Sequence, residues 1–191
     1  MRSKLVLAVL LLLAALPAFS QVAPAAKVSG IPLAVGGGLM DFSMDYGPGR
    51  RIMGISTWAD YKVFHGLGIE AEASDLFFAR PSSVKRYAQR SIKGGLIYHT
   101  PVYRGFHPYV KGLMGVTQAE FKIANPFYTV DDFTTYAVGA GVEYKAWRNV
   151  FVRVDYEYQY LTNYLSANSL NPNGVTVGAT YYLRAPRFRH N

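Results

Sequence analysis

From Val150 to Tyr160 the chain alternates with period two. Val150, Val152, Val154, Tyr156, Tyr158 and Tyr160 make one row, and Phe151, Arg153, Asp155, Glu157 and Gln159 make the other. Alternation of this kind marks a β-strand, because successive side chains leave its two faces in turn. Seven further stretches predict strands: about Pro32 to Ser43, Ile52 to Tyr61, Gly66 to Ser74, Tyr87 to Tyr98, Tyr109 to Ala119, Thr135 to Lys145 and Val175 to Leu183. In the third, Leu67, Ile69, Ala71 and Ala73 alternate with Gly68, Glu70, Glu72 and Ser74. In the sixth, Tyr136, Val138, Ala140, Val142 and Tyr144 alternate with Ala137, Gly139, Gly141, Glu143 and Lys145.

The spacers alternate too. "KVFH" and "AWRN" are tight and "HTPVYRGFHP" somewhat longer, whereas "MDYGPGRR", "DLFFARPSSVKR", "FKIANPFYTVDDF" and "LTNYLSANSLNPN" are rich in turn formers. Short connections on one side and long loops on the other predict an all-β fold, an eight-stranded antiparallel up-and-down transmembrane β-barrel. In such a barrel the apolar row meets lipid and the other row fills the lumen, the reverse of a soluble barrel. The non-apolar rows here hold glycine, alanine and charge, which suits the narrow interior of eight strands. A lumenal network is therefore expected from Glu70, Glu72, Lys93, Lys111, Glu143, Arg153, Asp155 and Glu157. Its five acids outnumber its three bases, so some carboxylates must share a cation, hold water or keep a proton. Gly36 to Gly38 lie within a strand with no helix following. They read as a place of curvature or close backbone approach rather than a phosphate loop. Tyr61, Tyr98, Tyr144 and Trp147 are expected in a periplasmic aromatic girdle, and Tyr158 and Tyr160 in an outer one.

Composition adds an address. Residues 1–20 read as a secretory signal peptide: Arg2 and Lys4, an apolar run from Leu5 to Leu16, Pro17, then small residues before Gln21. The run is short for a membrane-spanning helix, which needs roughly 20 residues. Residues 21–31 read as a flexible lead-in, 32–184 as the barrel and 185–191 as a periplasmic tail. The formal charge is +8, and without Arg2 and Lys4 there remain 18 basic against 12 acidic residues. For an exported chain that surplus points to anionic lipid or glycolipid phosphate and away from nucleic acid. With no cysteine in the chain, disulfides and thiolate metal sites are excluded.

Four segments carry a resemblance: "GLGIEAEA" from Gly66, "PYVKGLMGV" from Pro108, "YAVGAGVEYK" from Tyr136 and "TVGATYYL" from Thr176. Their order and spacing over about Pro32 to Leu183 resemble the small outer-membrane β-barrel family that includes the OmpA transmembrane domain and OmpX. The resemblance implies that Thr176, Gly178, Tyr181 and Leu183 form an assembly signal read by the barrel-assembly machinery. The chain departs from the pattern by continuing after the last strand with "RAPRFRHN".

No residue pattern points to catalysis. His65, His99 and His107 map to the short connectors and His190 to the tail, without metal-ligand pairing or a His-x-Ser on a late strand. Glu70 and Glu72 read more simply as lumenal charges than as an acid–base pair. No cofactor is implied. In the first two long loops Arg50, Arg51, Arg80, Lys85 and Arg86 would lie near outer-leaflet phosphates, as contacts for lipopolysaccharide. The expectation is a monomeric, non-enzymatic outer-membrane protein with a structural or adhesive role and a charge-plugged lumen. The alternatives are a narrow or gated channel and a soluble periplasmic lipid-binding barrel.

Overall fold

In the computed structural model the alternating stretches pair edge to edge until the last meets the first. The structure describes residues 33–44, 51–79, 87–122, 128–162 and 169–183. The strands are β1 (Leu33–Ser43), β2 (Arg51–Phe64), β3 (Leu67–Ala79), β4 (Tyr87–His99), β5 (Phe106–Lys122), β6 (Tyr128–Lys145), β7 (Val150–Thr162) and β8 (Asn173–Tyr182). They follow one another around a closed antiparallel barrel in chain order.

The register sets the tilt. Partners traced from Leu33 run through Tyr61, Ile69, Leu96, Gly112, Val138, Tyr158 and Asn173 to Ser43, ten residues further along β1. Ten rises of about 3.4 Å against eight spacings of about 4.8 Å incline the strands by about 40°. The short turns are tight. His65–Gly66 and Arg104–Gly105 all have positive φ, the backbone of a two-residue hairpin whose twist matches its strands. The second pair caps a small extension in which Tyr103 and Phe106 exchange backbone hydrogen bonds of 2.9 Å.

Across the middle of the wall the apolar row faces out. Val152, Val154, Tyr156, Tyr158 and Tyr160 are exposed on β7, while Phe151, Arg153, Asp155, Glu157 and Gln159 are buried inside. On β6, Tyr144 and Tyr136 bracket the exposed Val138 and Ala140. Eight residues of tilted strand separate these two rings, about 20 Å of height, close to the apolar belt of an outer-membrane barrel. Tyr61, Tyr98 and Trp147 are exposed near the short-turn edge.

Towards the long-loop end the wall inverts. Outward positions there gain polar pairs beside the exposed Phe77 and Val130: Arg51 pairs with Asp41 at 2.9 Å, Arg90 with Asp75 at 3.1 Å, and Gln118 donates to Asp132 at 3.0 Å. Inward positions become apolar, as Met40, Phe42, Met44, Ile52, Leu76, Ala119, Phe133 and Leu161 close into a buried cluster, with Leu170 against it. This is the arrangement of a barrel wall in water, so the inversion marks the upper edge of the membrane belt.

Several strands run past their expected ends. β3 reaches Ala79, β5 spans 106–122 and β6 begins at Tyr128. Above the belt the outward side need not be apolar, so stretches such as "TVDDF" lose the alternation that identifies a strand. His99 and His107 are also placed differently from the expectation. Both sit inside the lower barrel, on β4 and β5, because those strands continue closer to the turn than the spacer suggested.

Candidate functional site

β7 stacks its inward side chains in layers. From the short-turn end these are Phe151, Arg153, Asp155, Glu157, Gln159 and Leu161, all buried. What each meets across the lumen follows from the strands opposite.

Arg153 is a crossbar. Its Nε donates to Asp155 at 3.0 Å, Nη2 to Glu70 on β3 at 2.8 Å, and Nη1 to Asp60 on β2 at 3.4 Å. The guanidinium carbon lies 4.6 Å from the Trp58 ring and 4.5 Å from the Tyr109 ring. The planar fork thus meets carboxylates and stands over two aromatic rings, a combination that suits arginine and not lysine. Tyr109 also donates its hydroxyl to Asp155 at 2.8 Å.

One layer higher, two lysines serve the remaining acids. Lys111 on β5 stands 2.8 Å from Glu72, 2.9 Å from Glu157, 3.4 Å from Glu70 and 3.5 Å from Asp155. Lys93 on β4 pairs with Glu72 at 2.9 Å and with Glu157. Bare wall on β6 makes room for this layer: a Cβ at Gly139 would stand 2.9 Å from Lys111 Cε. Above it Gln159 donates to Glu157 at 2.8 Å and accepts from Gln89 at 3.1 Å, and the hydroxyls of Ser91, Thr117 and Thr135 link. The apolar cluster lies above this layer.

Glu143 does not join Arg153, although the two are register partners on β6 and β7. It accepts from Tyr182 Oη at 2.5 Å and Thr180 Oγ1 at 3.0 Å, with His99 Nε2 at 3.8 Å. Arg153 leans the other way, towards Asp60 and Glu70, so the single network expected from sequence is divided into an ionic belt and a separate, hydroxyl-bound carboxylate below it. Glu70, Glu72, Lys93, Lys111, Arg153, Asp155 and Glu157 are brought together in the belt.

Asp60, Trp58, Tyr109 and Tyr182 escaped sequence reasoning. The rows of β2 blur, since both mix apolar with polar residues and Thr57 faces out while Trp58 faces in. The available signal was pairing: Asp60 lies directly opposite Glu70. Tyr109 and Tyr182 carry no charge to mark them as lumenal, yet both point inward onto carboxylates.

Of the other singled-out residues, Thr176 is buried, while Tyr181 and Leu183 are exposed on the outer wall. Gly178 faces β1 at the closing seam, where a Cβ would stand 2.6 Å from Gly38 Cα and 2.7 Å from Trp58 Cη2. Arg51 starts β2 and is engaged by Asp41. Arg50, Arg80, Lys85 and Arg86, and residues 1–31 and 185–191 with the leader, lead-in and tail, lie outside the described residues.

A wall that is apolar outside at mid-height and ion-paired within defines a membrane-spanning barrel, and among the described residues its middle holds ion pairs where a soluble lipid carrier would hold an apolar cavity. The family of the outer membrane protein beta-barrel domain matches residues 6–182, and the chain belongs to it. Membership places the barrel in the bacterial outer membrane. Comparison with curated protein sequences gives no match. Among solved structures, Neisserial surface protein A is similar, with a TM-score of 0.66 at 16% identity over 80% of this chain and 97% of that one. Ail, the attachment invasion locus protein of Yersinia pestis, gives 0.57 at 16% over 78% and 96%. OprG from Pseudomonas aeruginosa gives 0.52 at 15% over 80% and 96%. At these identities the likeness is one of fold.

Proposed function

We propose that this chain is a non-enzymatic envelope protein, a structural or adhesive barrel whose lumen is closed by its ionic belt. Residues 1–20 would direct export, and Thr176, Gly178, Tyr181 and Leu183 would serve recognition by the barrel-assembly machinery. The observation that carries the reading is Arg153, which reaches across from β7 to β2 and β3 and is almost wholly buried. Fixed side chains in that position occupy the path an ion would take. An unpaired ion in a poorly hydrated interior costs several kcal/mol, which favours keeping the pairs made. An adhesive role belongs to the long loops. It rests on the likeness to Ail, an attachment protein by its name, and on the basic residues Arg50, Arg51, Arg80, Lys85 and Arg86 as contacts for lipopolysaccharide phosphate.

Planar-bilayer recording of the folded monomer tests closure. No steady open conductance is expected from the parent, and a large one overturns the reading. If Arg153→Ala conducts where the parent does not, the belt is a gate and the gated-channel alternative takes over.

A further inference from the structure

The short-turn edge of the barrel has a lopsided charge. Arg104 in the β4–β5 turn and Lys145 and Arg148 at the β6–β7 turn are exposed, and none has an ion-pair partner among the described residues. The carboxylates of this half, Asp60, Glu70 and Glu143, are buried in the lumen and already bonded. At the opposite edge the exposed bases Arg51 and Arg90 are each matched by an aspartate. Pairing on one edge and its lack on the other calls for a negative partner outside the chain.

The two turns are neighbours, because β5 and β6 are adjacent and Phe106 is the register partner of Tyr144. Their rings stand 5.1 Å apart. Arg104 lies over the Tyr103 ring at 5.3 Å, which holds the guanidinium against the wall. Trp147, between Lys145 and Arg148, is 77% exposed. Bases interleaved with exposed aromatic rings at the rim of an apolar belt match one surface: lipid headgroups, with rings among the glycerol backbones and cations on the phosphates.

We propose that this rim is a binding site for anionic glycerophospholipid, of the phosphatidylglycerol or cardiolipin type, in the periplasmic leaflet. The inference rests on the barrel lying in the outer membrane with its short turns towards the periplasm. A base near an anionic surface strengthens association roughly five-fold, so three unpaired bases select an anionic lipid over a zwitterionic one at the same apolar cost. Among the described residues, the exposed bases Arg51 and Arg90 of the edge opposite are paired within the chain.

Trp147 supplies the reporter. The chain has two tryptophans, and the other, Trp58, is buried with its Nε1 bonded to Thr180. The full chain would be folded into phosphatidylcholine nanodiscs doped with phosphatidylglycerol or phosphatidylcholine carrying a shallow acyl spin label. Labelled phosphatidylglycerol should quench the exposed tryptophan at a several-fold lower mole fraction than labelled phosphatidylcholine in low salt. The preference should fade as added salt shortens the screening length. The combined variant Arg104→Asn, Lys145→Gln, Arg148→Gln should lose it while keeping the heat-dependent gel shift of a folded barrel. Asparagine is chosen at 104 because it accepts positive φ. Should this variant lose that shift, Arg148→Gln alone, still folded, should show a reduced preference. Equal quenching by the two labelled lipids in the parent overturns the proposal, as does a preference that survives in the folded variants. If isolated peptidoglycan abolishes the parent's preference, the rim serves the cell wall and the proposal also fails. None of these outcomes touches the closed lumen, which is read by conductance.

Discussion

Replacing Arg153 with methionine keeps an unbranched stem and removes the guanidinium with its charge. The loss falls unequally on three acids. Asp60 has its ion pair with Arg153 alone, whereas Glu70 and Asp155 retain Lys111 at 3.4 and 3.5 Å. Removing one partner of a buried pair costs about 3–5 kcal/mol, chiefly because the charge left behind is uncompensated. Stacking between Trp58 and Tyr109 disappears too, worth about 0.5–2 kcal/mol. The first figure governs, because it is the larger of the two. Urea titration of the barrel in detergent, read by the fraction that keeps its gel shift, should show a loss of about 3–5 kcal/mol. Arg153→Lys should fall between, since a point charge cannot reach three acceptors in one plane. Pairing Arg153→Met with Asp60→Asn should recover part of the loss, because it removes the stranded charge with its partner. A single methionine variant within about 1 kcal/mol of the parent would show that the crossbar is not what holds the belt.

Ala140→Arg, halfway between Tyr136 and Tyr144 on the outer wall, should cost about 2–4 kcal/mol in lipid, measured by denaturant titration in vesicles. Gly178→Val should destabilise the closing seam by about 1–3 kcal/mol, because the new atoms meet the backbone of β1 and the Trp58 ring; the same titration reads it. Tyr182→Phe removes the 2.5 Å donor to Glu143 and should cost about 1–3 kcal/mol, with Thr180 left as the remaining hydroxyl. Tyr181→Asp with Leu183→Asp should deplete the protein from outer-membrane fractions on immunoblots, and normal surface levels would refute an assembly role for those side chains.

Much of this was legible because a barrel in lipid imposes one rule on every strand. In β7 from Val152 to Tyr160 and in β3 from Gly68 to Ser74 the two rows never mix, so orientation and lumenal acids follow from the letters alone. The rule holds only where lipid touches the wall. Met40, Phe42, Leu76 and Phe133 are apolar and point inward, because their height is above the belt, and height cannot be read from a single strand. It emerges from the ten-residue stagger, which belongs to all eight strands together. The grouping of charges was also hidden. Arg153 chooses Asp60 and Glu70 over its register partner Glu143 through the positions of Trp58 and Tyr109, and these are set by strands far away in the chain.

The inversion of the wall gives its two ends different thermal characters. The cluster around Phe42, Leu76 and Phe133 packs inside the upper barrel and keeps apolar groups from water, so its formation lowers the heat capacity and its hold slackens on cooling. The ionic belt beneath it excludes little apolar surface and lacks that dependence. Chilling is therefore expected to loosen the upper cluster first, while Arg153 and the lysines below keep their partners.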